Sequence, residues 1–253
     1  MMRVVLISTY ELGRQPFGLA SPAAWLADAG AMVTCFDLSR EPLREEAVAA
    51  AELVAFYVPM HTATRLAARA VAAVRRANPG AHLCFYGLYA PMNADYLRSL
   101  GAHTILGGEF EAGLVELVKR LQSGAPPNGG QPLISLARQL FRAPERAGLP
   151  PLASYARLAM PGGRRRVVGY TEASRGCKHL CRHCPIVPVY NGVFRIVQRD
   201  VVIEDIRRQV AAGAEHITFG DPDFFNGPRH AIQLVRALAS EFPGLTYDVT
   251  IKV

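Results

Sequence analysis

"SRGCKHLCRHCPIVP", Ser174–Pro188, decides how the second half of this chain is read, because three cysteines, 177, 181 and 184, fall within eight residues and no cysteine follows them. The stretch leaves a β-rich apolar run, "RVVGYTEA", Arg166–Ala173, and comes before the helix-period segment "DVVIEDIRRQVAAGA", Asp200–Ala214. The thiols therefore sit on a loop between a strand and a helix. Three thiolates spaced C-x3-C-x2-C can each bind one iron of a cubane cluster, which normally takes four protein ligands, and the fourth iron is then open. Arg175, Lys178 and Arg182 lie in the same loop, where positive charge lowers thiol pKa values and offsets the charge of a thiolate-bound cluster. A closed zinc site of Cys177, Cys181, Cys184 and either His179 or His183 is the competing reading. Zinc sites usually draw two ligand pairs from separated segments, whereas all candidates here lie within eight residues. Spacing favours the cluster and leaves zinc open.

Downstream the alternation continues with a strand ("EHITFGD", Glu215–Asp221), a helix ("RHAIQLVRALASEF", Arg229–Phe242) and a strand ("LTYDVTIKV", Leu245–Val253). Between the first two lies "FGDPDFFNGP", Phe219–Pro228, with Asp221 and Asp223 at a strand's carboxyl end. Such carboxylates either face a ligand or serve an Asp-Pro turn and a helix cap. Glu172, on the strand before the cysteines, reads as satisfied structure or as a group facing a barrel interior.

Upstream, residues 1–122 read as a separate α/β domain. Its strands are "RVVLIST" (Arg3–Thr9), "MVTCFDL" (Met32–Leu38), "LVAFYVP" (Leu53–Pro59), "AHLCFYG" (Ala81–Gly87) and "HTILGG" (His103–Gly108). In "HTATRLAARAVAAVRRANPG", His61–Gly80, Leu66, Ala70 and Val74 recur every fourth residue with Ala67 and Val71 beside them, which predicts an amphipathic helix closed by Pro79 and Gly80. Five strands with helical crossovers suggest a doubly wound, flavodoxin-like sheet of order 2-1-3-4-5, with ligands at the carboxyl ends of its strands. Residues 123–166, with "SGAPPNGGQP", "PERAGLPP" and "PGGRRR", read as a linker carrying one short helix around "LISLARQLF", Leu133–Phe141. Cys35 and Cys84 lie inside apolar runs and read as buried core.

"SRGC", the C-x3-C-x2-C spacing and its place after the first strand of an α/β series resemble the radical S-adenosylmethionine enzymes. By that resemblance Cys177, Cys181 and Cys184 hold a [4Fe-4S] cluster, and S-adenosylmethionine chelates the open iron. An external one-electron donor then drives its cleavage to methionine and a 5'-deoxyadenosyl radical. The resemblance also puts His183 where an aromatic residue usually touches the adenine. Gly220 and Asp221, with Asp223 nearby, stand where the family has a Gly-Gly-Glu-like segment for the methionine amino group; here the acid is shorter and the second glycine missing. Residues 167–253 are then the N-terminal half of a radical S-adenosylmethionine (β/α) barrel.

A flavodoxin-like domain before such a barrel is similar to the cobalamin-binding class of that superfamily, and within it the chain resembles the set named for a CUAEP or CCAEP tail. That likeness implies cobalamin contacts at Thr9, Tyr10, Met60, His61, Gly87, Gly107, Gly108 and Glu109. It also implies cobalamin-assisted methyl transfer to an unactivated carbon of a small-molecule or peptide substrate. Many cobalamin domains carry D-x-H-x-x-G after the first strand; Ser8–Gly13 reads S-x-Y-x-x-G, so Tyr10 replaces the cobalt-ligating histidine. Radical chemistry without cobalamin, and a zinc-binding regulatory or nucleic-acid-binding protein, are the alternatives.

Composition narrows these classes. The formal net charge of +7 invites nucleic acid, but the basic residues are dispersed, and the one run, Arg164–Arg166, reads as a solvated connector. No apolar run approaches the roughly 18 residues of a membrane span, and "MMRVVLIST" lacks a signal peptide's features, so a cytoplasmic protein is expected. A barrel of six βα units needs about 200 residues, and about 90 follow the linker. The expectation is a fragment of a longer protein, or a chain that pairs with another.

Overall fold

A computed structural model describes residues 1–126 and 132–252, so residues 127–131, near the start of the expected linker, and the last residue lie outside the described residues. The chain divides into two compact units: Met1–Glu11, Gly18–Gln139 and Pro144–Leu149 form the first, and Leu12–Phe17, Leu140–Ala143 and Pro150–Val253 the second.

In the first unit the strands are β1 (Arg3–Ser8), β2 (Met32–Asp37), β3 (Leu53–Tyr57), β4 (His82–Tyr86), β5 (Thr104–Gly108) and β6 (Ile134–Ser135). They form one parallel sheet of order β2-β1-β3-β4-β5-β6. The helices are α1 (Phe17–Asp28), α2 (Glu45–Ala49), α3 (His61–Ala77), α4 (Tyr89–Met92), α5 (Ala94–Ser99) and α6 (Glu111–Ser123). Side chains alternate across the sheet: Val4 and Leu6 of β1 pack with Leu19 and Leu26 of α1 and Leu114 and Leu117 of α6. Val5 and Ile7 pack on the other face with Ala67, Val71 and Val74 of α3 and Leu97 of α5. Both faces are buried, which is why the strands read as unbroken apolar runs. Each fully buried Leu, Ile or Phe here contributes about 1.5–3 kcal/mol.

β6 is a correction to the sequence reading. No helix forms at 133–141; Leu133 O accepts from Gly107 N and Ser135 O from Glu109 N, each at 2.8 Å. A nine-residue helix is marginal alone, and the open edge of β5 offers its backbone a better set of partners.

The second unit holds β7 (Arg157–Ala159), β8 (Arg165–Thr171), β9 (Ser174–Gly176), α7 (Val187–Tyr190), β10 (Phe194–Ile196), α8 (Arg199–Ala211), β11 (His216–Phe219), α9 (Pro228–Glu241) and β12 (Thr246–Asp248). Its four-stranded sheet runs β12-β11-β8-β7, with β11 parallel to both β12 and β8, and β7 antiparallel to β8. β9 and β10 form a separate antiparallel pair. The run Arg164–Arg166 is thus not a free connector, because Arg165 and Arg166 open β8. Arg164 pairs with Glu215 at 2.8 Å, and Arg166 Nη1 donates to Thr246 Oγ1 at 2.7 Å. Ile203 and Ile206 of α8, Leu234 and Leu238 of α9, and Ile217 and Phe219 of β11 build the core. Phe141 joins them, its N–H donating to Gln198 Oε1 at 2.9 Å. Among the described residues no helix is long and apolar enough to cross a membrane.

Candidate functional site

The cysteine loop hangs between two anchored ends. Behind it, Gln209 of α8 takes up both polar groups of the Tyr170 peptide, accepting from its N at 2.9 Å and donating to its O at 3.2 Å. Thr171 Oγ1 donates to Asp205 at 2.8 Å, so the end of β8 is fixed to α8. Beyond it, β9 leads into Cys177, which is buried, while Cys181 and Cys184 are half-buried. All three thiols are free; Cys184 N donates to Cys181 O at 3.2 Å and Val187 N to Cys184 O at 3.3 Å, a tight turn opening into α7. Among the described residues no three His, Cys, Asp or Glu side chains converge as a metal-holding group. The donor type is that of an iron-sulfur cluster, three free thiols on one loop.

Arg175 on β9 is buried, pairs with Glu172 at 2.7 Å and lies over the rings of Phe17 and Phe141 at 5.8 and 5.1 Å. Glu172 is thereby engaged as a structural ion pair. Lys178 Nζ lies 4.7 Å over the Phe194 ring. His183 is exposed, and His179 Nε2 lies 3.2 Å from Asp223 Oδ2.

The "GDPDFFN" segment, Gly220–Asn226, makes several contacts with the protein itself. Asp221 is buried, accepting from Ala173 N at 2.9 Å and Ser174 Oγ at 2.6 Å, so it clamps the step from β8 to β9. Asp223 caps the short turn Phe224–Asn226, accepting from Phe225 N at 3.1 Å. Gly220 lies against Tyr170, whose hydroxyl and ring a Cβ there would overlap.

Burial pushes the Asp221 carboxyl up to about 6, against the lowering effect of its hydrogen bonds. A raised carboxyl means that the folded state holds the proton more tightly than the unfolded chain. Its stabilising share is complete below the unfolded value of 3.8 and is lost as pH rises through about 6. Asp221→Asn removes this dependence. Denaturant titrations of parent and variant between pH 4 and 7 are expected to diverge by up to about 3 kcal/mol, the parent losing more as pH rises. Parallel profiles would exclude this account of Asp221.

The first unit brings some of the positions implied for cobalamin together. Thr9 Oγ1 donates to Ala63 O at 2.9 Å, tying the loop after β1 to the first turn of α3, which His61 opens and Met60 precedes. Tyr10 is half-buried and His61 exposed. The glycines that would cradle a nucleotide tail are filled by protein instead: Gly107 lies against Pro91, Gly87 against Tyr57, and Gly108 against the Ser135 carbonyl of β6. Glu109 is buried beside β6. This end of β5 does not fit a cobalamin tail.

No protein-family model and no curated protein matches the sequence. Among solved structures, the chain has the fold of the radical S-adenosylmethionine methyltransferase TsrM from Kitasatospora setae. With cobalamin and a [4Fe-4S] cluster bound, that structure aligns over 95% of this chain and 51% of its own, at 17% identity and a TM-score of 0.69. The same enzyme with tryptophan substrate and a S-adenosylmethionine analogue aligns over 94% and 51%, at 18% identity and a TM-score of 0.70. The chain spans about half the length of the solved structures it matches.

Asn226, Gln209, Asp205 and Ser174 shape the cysteine loop and its strand, yet none stands out in the sequence. Their types are ordinary for loops and helix surfaces, and only the fold shows what they face.

Proposed function

We propose that this chain carries the cluster-binding part of a radical S-adenosylmethionine enzyme. The carrying observation is the set of three free cysteines, C-x3-C-x2-C, on the loop after the first parallel strand of the second unit. The fold shared with TsrM supports it. When bound, a [4Fe-4S] cluster would supply the one-electron chemistry that cleaves S-adenosylmethionine, with the electron coming from an external donor. Cys177, Cys181 and Cys184 would hold the cluster, Lys178 would add a positive charge from the same loop, and the buried β9 would present Cys177 from the protein interior. The substrate class is a small molecule or peptide.

The test is anaerobic reconstitution of the full chain with iron and sulfide, then reduction with S-adenosylmethionine. Brown protein with roughly four irons per chain and 5'-deoxyadenosine formation is expected. A colourless chain holding one zinc and unchanged by reconstitution would end this reading.

Cobalamin-dependent methyl transfer is the second reading, supported by the β2-β1-β3 order, since ligands of such sheets generally bind where the strand order reverses, here beside Thr9, Tyr10, Met60 and His61. The protein atoms packed against Gly87 at the end of β4 and against Gly107 and Gly108 at the end of β5 weigh against tail contacts at these glycines. Retention of a coloured corrinoid by the full chain tests it.

A further inference from the structure

Asn226 spans the peptide groups on either side of the first cysteine. Its Oδ1 accepts from Lys178 N at 3.0 Å, and its Nδ2 donates to Gly176 O at 3.4 Å. The residue is buried and belongs to a turn that cannot easily shift: Asp223 caps it, Asn226 N donates to Asp223 O at 3.0 Å, and Phe224 N donates to Thr250 O at 2.8 Å. Phe224 also packs on Phe219 of β11, with ring centroids 5.0 Å apart. An amide is suited to this place because it presents one donor and one acceptor at once, matching a carbonyl and an N–H two residues apart. Among the described residues, Cys181 and Cys184 are held by the turn between them, with Cys184 N donating to Cys181 O, rather than by a side-chain amide.

We propose that Asn226 is a positioning residue for Cys177, fixing the backbone of this cysteine before metal arrives while Cys181 and Cys184 stay adaptable. Assembly then begins from one preset thiol, and the other two close around the growing cluster. The purpose of this brace rests on the cluster reading, but its existence can be measured in metal-free protein.

The experiment is iodoacetamide labelling of the metal-free full chain, with the rate at each cysteine read by mass spectrometry. Cys35 and Cys84 act as internal references, since burial pushes the Cys35 thiol up to about 12 and raises that of Cys84 further. In the parent chain Cys181 and Cys184 label fast and Cys177 slowly. In Asn226→Ala the Cys177 rate is expected to rise at least on the order of tenfold, the low end of losing its two hydrogen bonds to the backbone around Cys177, with Cys181 and Cys184 unchanged. Hydrogen exchange at Ile217 and Thr218 reports whether β11 stays folded. An unchanged Cys177 rate in folded Asn226→Ala, or an equal rise at all three loop cysteines, overturns the proposal. If Asn226→Ala does not fold, Asn226→Asp serves: it keeps the acceptor for Lys178 N and loses the donor to Gly176 O. A Cys177 rate between parent and tenfold supports the brace, and a parental rate refutes it. Iron uptake by the parent is scored separately, so failure of the cluster reading and failure of this role remain distinct.

Discussion

Cys181→Ala brings both the iron content and the 5'-deoxyadenosine yield of the reconstituted chain to background. Two remaining thiols cannot hold three irons of a cubane, and no other cysteine in the second unit can replace the lost one. The loss should exceed the roughly 10–100-fold typical of removing a group that only supports a metal ligand. Cys177→Ala and Cys184→Ala behave alike, while His183→Ala keeps its iron, because His183 is exposed. A zinc site predicts the reverse for one of the two loop histidines, which makes His179→Ala and His183→Ala the discriminating pair. Parental product yield from Cys181→Ala removes the cluster from the explanation altogether.

The strands of the first sheet were legible because both faces are buried and each strand is a continuous apolar run. The order 2-1-3-4-5 followed from crossover rules, and β6 was added only by the structure. Ile134–Ser135 is too short for any period to register, and its partners at the end of β5 lie far away in sequence. The helix expected around 133–141 failed for a related reason. Its apolar residues serve two different places, Ile134 beside β5 and Phe141 in the core of the second unit. Around the candidate site, the cysteines announced themselves by spacing, and Asp223 by its capping position. Asp221 was legible as a carboxylate at a strand end, but not its partners, since Ala173 and Ser174 are nearly 50 residues upstream. Asn226 is the clearest case: in "FFNG" it reads as turn chemistry, and only the return of the chain beside Gly176 gives its amide two backbone partners.

Gly176→Ala is expected to destabilise the second unit by about 3–5 kcal/mol and to abolish iron uptake while leaving all three cysteines in place. Two costs coincide at this residue. Its φ is +72°, a left-handed backbone that costs an L residue roughly 1–2 kcal/mol. An added Cβ would also overlap the Tyr190 ring and the Val193 carbonyl, and the second of these is backbone, which cannot rotate away. Relief requires β9 and β10 to part, yet Gly176 is paired with Phe194 in that ladder and its carbonyl accepts from Asn226. The strain therefore acts on the peptide that presents Cys177. Gly192→Ala separates the two costs, because its φ is +81° but its nearest neighbour, at 3.4 Å, is the flexible end of Leu180. That variant should lose only about 1 kcal/mol and keep its iron. Denaturant titration with iron analysis on the two variants decides the matter: equal losses would mean that dihedral strain alone fixes glycine before the first cysteine, and the collision with Val193 would carry no weight.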